Sequence, residues 1–193
     1  GSEERRRFLD VVISQFDKEY LDALIRYTQA VPEGQGRSSL GTGRGDILQE
    51  CRESLGRLLG VKETERIILT SGATEGANLF LRGMDWRDCR IYAAQTEHNC
   101  ILRPLWNLPG ILDRVRILPC DGKGFLKLSA LREIPQGKGA VIVSHCSNVT
   151  GAVQPMADIS EYVRKKGYLF IGDVSQSLGC IQVCGDEWGA DVL

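Results

Sequence analysis

Four polar clusters recur along the chain, and each holds residue types that bind or activate small charged molecules. Ser71-Gly72-Ala73-Thr74-Glu75 is a small-residue turn at the start of a helical pattern. Glu97-His98-Asn99 offers an imidazole, Ser147 to Gly151 contains the amide of Asn148, and Asp173 to Gln176 brings a carboxylate and a second amide. A turn of small residues leaves the first N–H groups of the following helix unpaired beside a hydroxyl, which suits a phosphate. An ordinary capped helix fits the same local pattern, and the segment is neither a P-loop nor a GxGxxG fingerprint. An imidazole can stack on a flat ring. A carboxylate can keep a ring nitrogen protonated and so turn that ring into an electron sink. Side-chain amides can hydrogen-bond a ring oxygen. Together the four clusters suit a phosphorylated aromatic cofactor. Taken singly, His98 also reads as a polar loop residue, Asp173 as a turn cap with Gln176 exposed, and Asn148-Val149-Thr150 as a formal glycosylation sequon.

The elements between the clusters decide whether they meet. Apolar runs bounded by turn residues predict strands at Ile67–Thr70, Arg90–Ala94, Val115–Leu118, Ala140–Val143 and Tyr168–Ile171. Helical spacing predicts helices from Thr74 to Gly83, Cys100 to Leu108, Leu126 to Glu133 and Met156 to Lys166, with Pro104 expected in a first turn, where proline is tolerated. Upstream, Phe8 to Gln29 fits one or two amphipathic helices, Val31 to Gly45 is a Gly/Ser/Pro-rich loop, and Ile47 to Leu59 is a helix stopped by Gly60. Strands alternating with helices predict an α/β fold, a mostly parallel sheet with right-handed crossovers and helices on both faces. In such sheets ligands bind outside the carboxyl ends of the strands, which is where the four clusters fall.

With 193 residues there is enough chain for one sizeable α/β core or most of a larger domain. A net charge of −1 gives no electrostatic case for a nucleic acid or an anionic membrane as partner. No apolar run approaches the ~20 residues that span a bilayer. The 7 cysteines are odd in number, scattered and without a CxxC pair, which suits reduced thiols and predicts a cytoplasmic protein. Cys100 opens a helix, whose dipole is expected to lower its pKa and make it a sulfur-acceptor candidate. His145 ends a buried strand and reads as a satisfied core histidine, while Lys165 and Lys166 read as solvated residues at a helix end. Gly1-Ser2 has the look of a tag remnant.

The motifs TSGATEGAN at Thr70–Asn78, EHN at Glu97–Asn99, SHCSNVTG at Ser144–Gly151 and DVSQSLG at Asp173–Gly179 resemble those of the class V aminotransferases. These are pyridoxal-phosphate enzymes of fold type I, and the resemblance is greatest to the cysteine desulfurase branch. It runs from about Arg37 to Leu193, in the family's order and spacing. It implies that Ala73 and Thr74 hold the cofactor phosphate and that His98 stacks over the pyridine ring and is the catalytic candidate. It implies too that Asp173 pairs with the ring nitrogen, while Asn148 and Gln176 lie by the ring and its phenolic oxygen.

The implied domains are an N-terminal helical segment at 1–36 and a cofactor-binding large domain at 37–193, incomplete at its carboxyl end. The family's Schiff-base lysine is expected just past Leu193. The family's small domain, its substrate-carboxylate arginine and its sulfur-accepting cysteine are likewise not found, so the chain by itself is expected to be inactive. For the parent protein the implied activity is a desulfurase that takes L-cysteine to L-alanine and passes sulfur to an enzyme thiol. A homodimer and a sulfur-acceptor protein are the implied partners. Another class V aminotransferase, a selenocysteine lyase, or a non-catalytic fragment or scaffold remain the alternatives.

Overall fold

A computed structural model describes residues 44–193. The helices expected over 8–29, most of the loop expected over 31–45 and the boundary expected at 36/37 lie outside the described residues. Two compact units emerge, one running through Leu69 and including Leu178–Cys184, the other formed by Thr70–Ser177 with Gly185–Leu193.

In the first unit, helix α1 spans Arg44–Leu59, beginning three residues before the expected Ile47 and stopping before Gly60 as its sequence predicts. Ile67–Thr70 is not a strand. A strand exists only through a partner for its N–H and C=O groups, and among the described residues no ladder takes in this segment. Ile67 instead donates its N–H to Thr64 O at 3.1 Å, closing a 3-10 turn, and its carbonyl accepts from Arg52 Nε at 3.0 Å. Ile68 and Leu69 are 69% and 37% exposed, so the expected burial fails with the pairing.

The second unit is built on a sheet of β1 (Arg90–Ala94), β2 (Val115–Leu118), β3 (Gly139–Ser144) and β4 (Leu169–Asp173). All pairings are parallel and the order is β2-β1-β3-β4. Helices α2 (Ala73–Gly83), α3 (Asn99–Trp106), α4 (Leu128–Arg132), α5 (Met156–Lys165) and α6 (Gly185–Trp188) complete it. Successive residues of a strand point to opposite faces, and two cores result. Ile91, Ala93 and Ile142 pack with Leu81 of α2 and Ile101 and Leu105 of α3 on one face. Tyr92, Val141, Val143 and Phe170 pack with Leu131 of α4 and Met156, Ile159 and Val163 of α5 on the other. Covered on both faces, β3 is buried throughout, which is why it reads as an uninterrupted apolar run. Pro104 lies inside α3 rather than in its first turn; it offers no N–H to the carbonyl four residues back, and the helix ends at Trp106.

No helix among the described residues is long and apolar enough to cross a membrane. The outer edge of β4 is taken by the chain's last residues, with Gly172 N donating to Val192 O at 2.9 Å and Asp191 N to Phe170 O at 2.9 Å.

At the other end of the sheet, β1 and β3 meet at Arg90 and Gly139, and Gly139 has φ +142. A Cβ there would lie 1.8 Å from the carbonyl oxygen of Arg90. Gly139→Ala is therefore expected to cost about 3 kcal/mol or more in urea denaturation, from backbone strain and displacement of β1. Gly122→Ala, where an added Cβ meets nothing within 4 Å, should change stability by less than about 1 kcal/mol.

Candidate active site

Because β1, β3 and β4 are parallel neighbours, the loops that follow them leave the sheet at one edge. Ser144 at the end of β3 stands in register with Asp173 at the end of β4. His145 N donates to Asp173 O at 2.8 Å, carrying the pairing one residue past the strand.

The two oxygens of Asp173 have different surroundings. Oδ1 accepts from Ser175 N at 2.9 Å and from Ser175 Oγ at 2.5 Å. Oδ2 faces only the Cys100 thiol, at 3.8 Å, among the contacts of the described residues. Asp173 thus caps its own turn with one oxygen, as its turn-cap reading has it, while the other oxygen faces the thiol.

His98 is the N-cap of α3. Its Nδ1 accepts from Cys100 N at 3.1 Å, which places the proton of the neutral ring on Nε2 and fixes the plane of an exposed imidazole. Asn148 and Gln176 are exposed on the loops after β3 and β4. The Asn148 loop is shaped by buried Ser147, whose Oγ accepts from Val149 N and Thr150 N, both at 3.3 Å. The Gln176 turn is anchored by buried Ser177, whose Oγ lies 2.8 Å from His145 Nδ1 and donates to Val174 O at 3.2 Å. His145 itself is buried edge-on to Trp188, the satisfied core histidine that its position predicts. His98, Asn148, Asp173 and Gln176 therefore share the carboxyl edge of three adjacent strands.

Ala73 and Thr74 are exposed at the start of α2, which packs its inner face with α3 on the sheet. Gly72 is the N-cap, at φ +139, and supplies no side-chain bond to the first turn; an added Cβ there would meet nothing within 4 Å. The Glu75 carboxylate accepts the N–H of Ser71 at 2.6 Å instead. A glycine cap in this conformation keeps the helix N-terminus open. Lys165 pairs with Glu161 at 2.5 Å on the exposed side of α5, away from this chemistry.

Two residues have roles that local sequence did not disclose. Glu97 is buried, and its carboxyl takes the N–H of Ser144 at 2.5 Å on Oε1 and the Ser144 hydroxyl at 2.8 Å on Oε2. Burial pushes its pKa up to about 7 against the pull of those two bonds, and the charge of Asp173 adds to the rise. Cys100 overturns the helix-dipole expectation. Burial, then the carboxylates of Asp173 and Glu97, drive its thiol up to about 12, which disfavours the thiolate at neutral pH. Asp173 as a turn cap was legible in the sequence; the reach of Glu97 to Ser144 was not.

Two measurements follow from these environments. In the unfolded chain Glu97 ionises near 4.5, whereas folded it keeps its proton to about 7. The folded state binds more protons between those values, so stability falls as pH rises through that window. Glu97 should contribute on the order of 3 kcal/mol to that fall between about pH 4 and pH 8. Glu97→Gln, which can still accept from Ser144 N and donate to Ser144 Oγ, should flatten this part of the profile. Iodoacetamide at neutral pH should alkylate exposed Cys180 and leave buried Cys100 unmodified, as read by peptide mass mapping.

A family profile described as Aminotransferase class-V matches residues 10–193. The mitosomal cysteine desulfurase of Encephalitozoon cuniculi is 31% identical over 98% of this chain and 46% of its own length. The cysteine desulfurase IscS of Rickettsia massiliae is 30% identical over 91% of this chain and 44% of its own. Among solved structures, one titled a NifS-like protein superposes with a TM-score of 0.73 at 26% identity, over 91% of this chain and 50% of that one. The NifS-like protein from Rickettsia africae gives 0.72 at 23% identity, over 91% and 49%. The chain thus spans less than half the length of these curated relatives. Profile, relatives and parallel fold agree, and the chain belongs to the class V aminotransferase family.

Proposed function

We propose that the protein to which this chain belongs is a pyridoxal-phosphate-dependent cysteine desulfurase, acting on L-cysteine and passing sulfur to an enzyme thiol or an acceptor protein. The observation that carries the cofactor reading is the divided carboxylate of Asp173. Ser175 locks one oxygen, and the other is left with a thiol and no cation, as a protonated ring nitrogen requires. Relatives named cysteine desulfurases at about 30% identity support the substrate.

The residues present fit the cofactor. Open N–H groups at Ala73 and Thr74, beside a glycine cap with space around it, would hold the phosphate. His98 would lay its fixed ring on the pyridine face, and Asn148 and Gln176 would bond the phenolic oxygen and ring edge. When bound, pyridoxal phosphate supplies an electron sink that stabilises negative charge developing at the substrate α-carbon. Asp173 sustains that sink by keeping a proton on the ring nitrogen. His98, whose Nδ1 accepts from Cys100 N, would have its Nε2 as the ring atom that could carry a proton to or from a bound substrate. We further propose that residues 37–193 form a cofactor-binding large domain after an N-terminal helical segment at 1–36, and that the protein works as a cytoplasmic homodimer.

The whole protein, supplied with pyridoxal phosphate and L-cysteine, should release alanine and load a thiol as persulfide. Formation of a keto acid instead would assign an aminotransferase, and turnover confined to selenocysteine a lyase. Asp173→Asn should lower alanine release by on the order of 100-fold with the fold intact by circular dichroism, because an amide cannot hold the ring-nitrogen proton. Unchanged turnover would remove Asp173 from the site.

A further inference from the structure

The buried carboxyl of Glu97 stands directly behind His98 in sequence and is spent wholly on one residue of another strand. It grips both the N–H and the hydroxyl of Ser144, at 2.5 and 2.8 Å, and Ser144 is the register partner of Asp173. Glu97 directly precedes the His98 cap, and Cys100, two residues beyond His98, reaches back to Asp173 Oδ2. The start of α3 is therefore tied to the end of β3 through Glu97 and Ser144, and to the Asp173 carboxylate through Cys100. Burying an acid at 6% exposure among apolar strands is costly unless it is fully bonded, and a packed helix start has no need of one. We propose that Glu97 is a positioning residue, which acts through His98 by pinning the first turn of α3 to the end of β3 and so sets the imidazole at a fixed height over Asp173.

This deepens the cofactor reading and rests on it for its functional meaning, while the positioning itself is a property of the protein without ligand. Without the grip, residues 97–99 keep the bond from Glu97 N to Ala94 O, the helix they lead into and the contact of Cys100 with Asp173. The cap from Cys100 N to His98 Nδ1 should then open more often. Groups held by such supporting bonds lose their productive geometry when the support goes, even though they remain in place in the sequence.

The test is hydrogen exchange, resolved to single amides, in the whole protein without ligand. In Glu97→Ala the Cys100 amide should exchange roughly tenfold faster or more relative to the core amide of Ile142 in β3. Glu97→Gln, which preserves both bonds to Ser144, should restore the wild-type rate within about twofold. If Glu97→Ala does not fold, Ser144→Ala removes only the hydroxyl half of the grip and should still speed Cys100 exchange a few-fold. A Cys100 amide unmoved relative to Ile142 in the folded alanine variant, or a glutamine variant as fast as alanine, overturns the proposal.

Pyridoxal phosphate is then titrated into the same proteins and followed by its visible absorbance. Glu97→Ala should bind roughly tenfold more weakly, with Glu97→Gln close to wild type. Should exchange respond as expected while the wild-type protein binds no cofactor, the positioning role stands and it is the cofactor reading that falls.

Discussion

Parallel pairing of β1, β3 and β4 is the constraint on which the candidate site depends. It sends the loops after three strands out of one edge, so residues far apart in the chain become neighbours without any local signal joining them. Its tightest point is the far end of β1, where the Arg90 carbonyl approaches Gly139 closely enough to exclude any side chain. Register fixed at that end is transmitted along the ladders to Ser144 and Asp173 at the other. A slip of one residue there would reverse which side chains face each core and separate the Glu97 carboxyl from its serine.

At the carboxyl edge the electrostatics are one-sided. Glu97, Cys100 and Asp173 are all acids, brought together partly out of water, and no cation bonds Asp173 among the described contacts. The molecule relieves this by keeping protons on the two more buried groups, the Glu97 carboxyl and the Cys100 thiol. Asp173 is half-buried and bonded to Ser175 through one oxygen. Under the proposed function, a protonated pyridine nitrogen would bring to this edge the positive charge that its described contacts lack.

Much of this was legible in the sequence, for identifiable reasons. Short β-branched or apolar runs bounded by turn residues let β1 and β2 be read to the residue and β3 and β4 to within two residues at either end. Ile67–Thr70 carries the same composition and failed, because composition cannot say whether a neighbour exists for its backbone. Cys100 was misread for a related reason. Its place at a helix start is a local fact that favours the thiolate, but burial in the packed core reverses this first, and a carboxylate 73 residues on adds to it. Glu97 was seen as one more polar residue at a strand end, since its partner is 47 residues away. Local chemistry was legible, and charge environments assembled across the sheet were not.

The two hydrogen bonds from Ser175 to Oδ1 bear on the kinetics of any ligand that Asp173 receives. A side chain already frozen in its working rotamer has paid its ordering entropy during folding, a quantity of about 0.5–1.5 kcal/mol for a rotamer-rich group immobilised at an interface. None of that cost is deducted when the ligand arrives, and none is refunded when it leaves. The benefit appears as a longer residence time rather than faster capture, which suits a group that must stay seated through many turnovers while smaller molecules come and go.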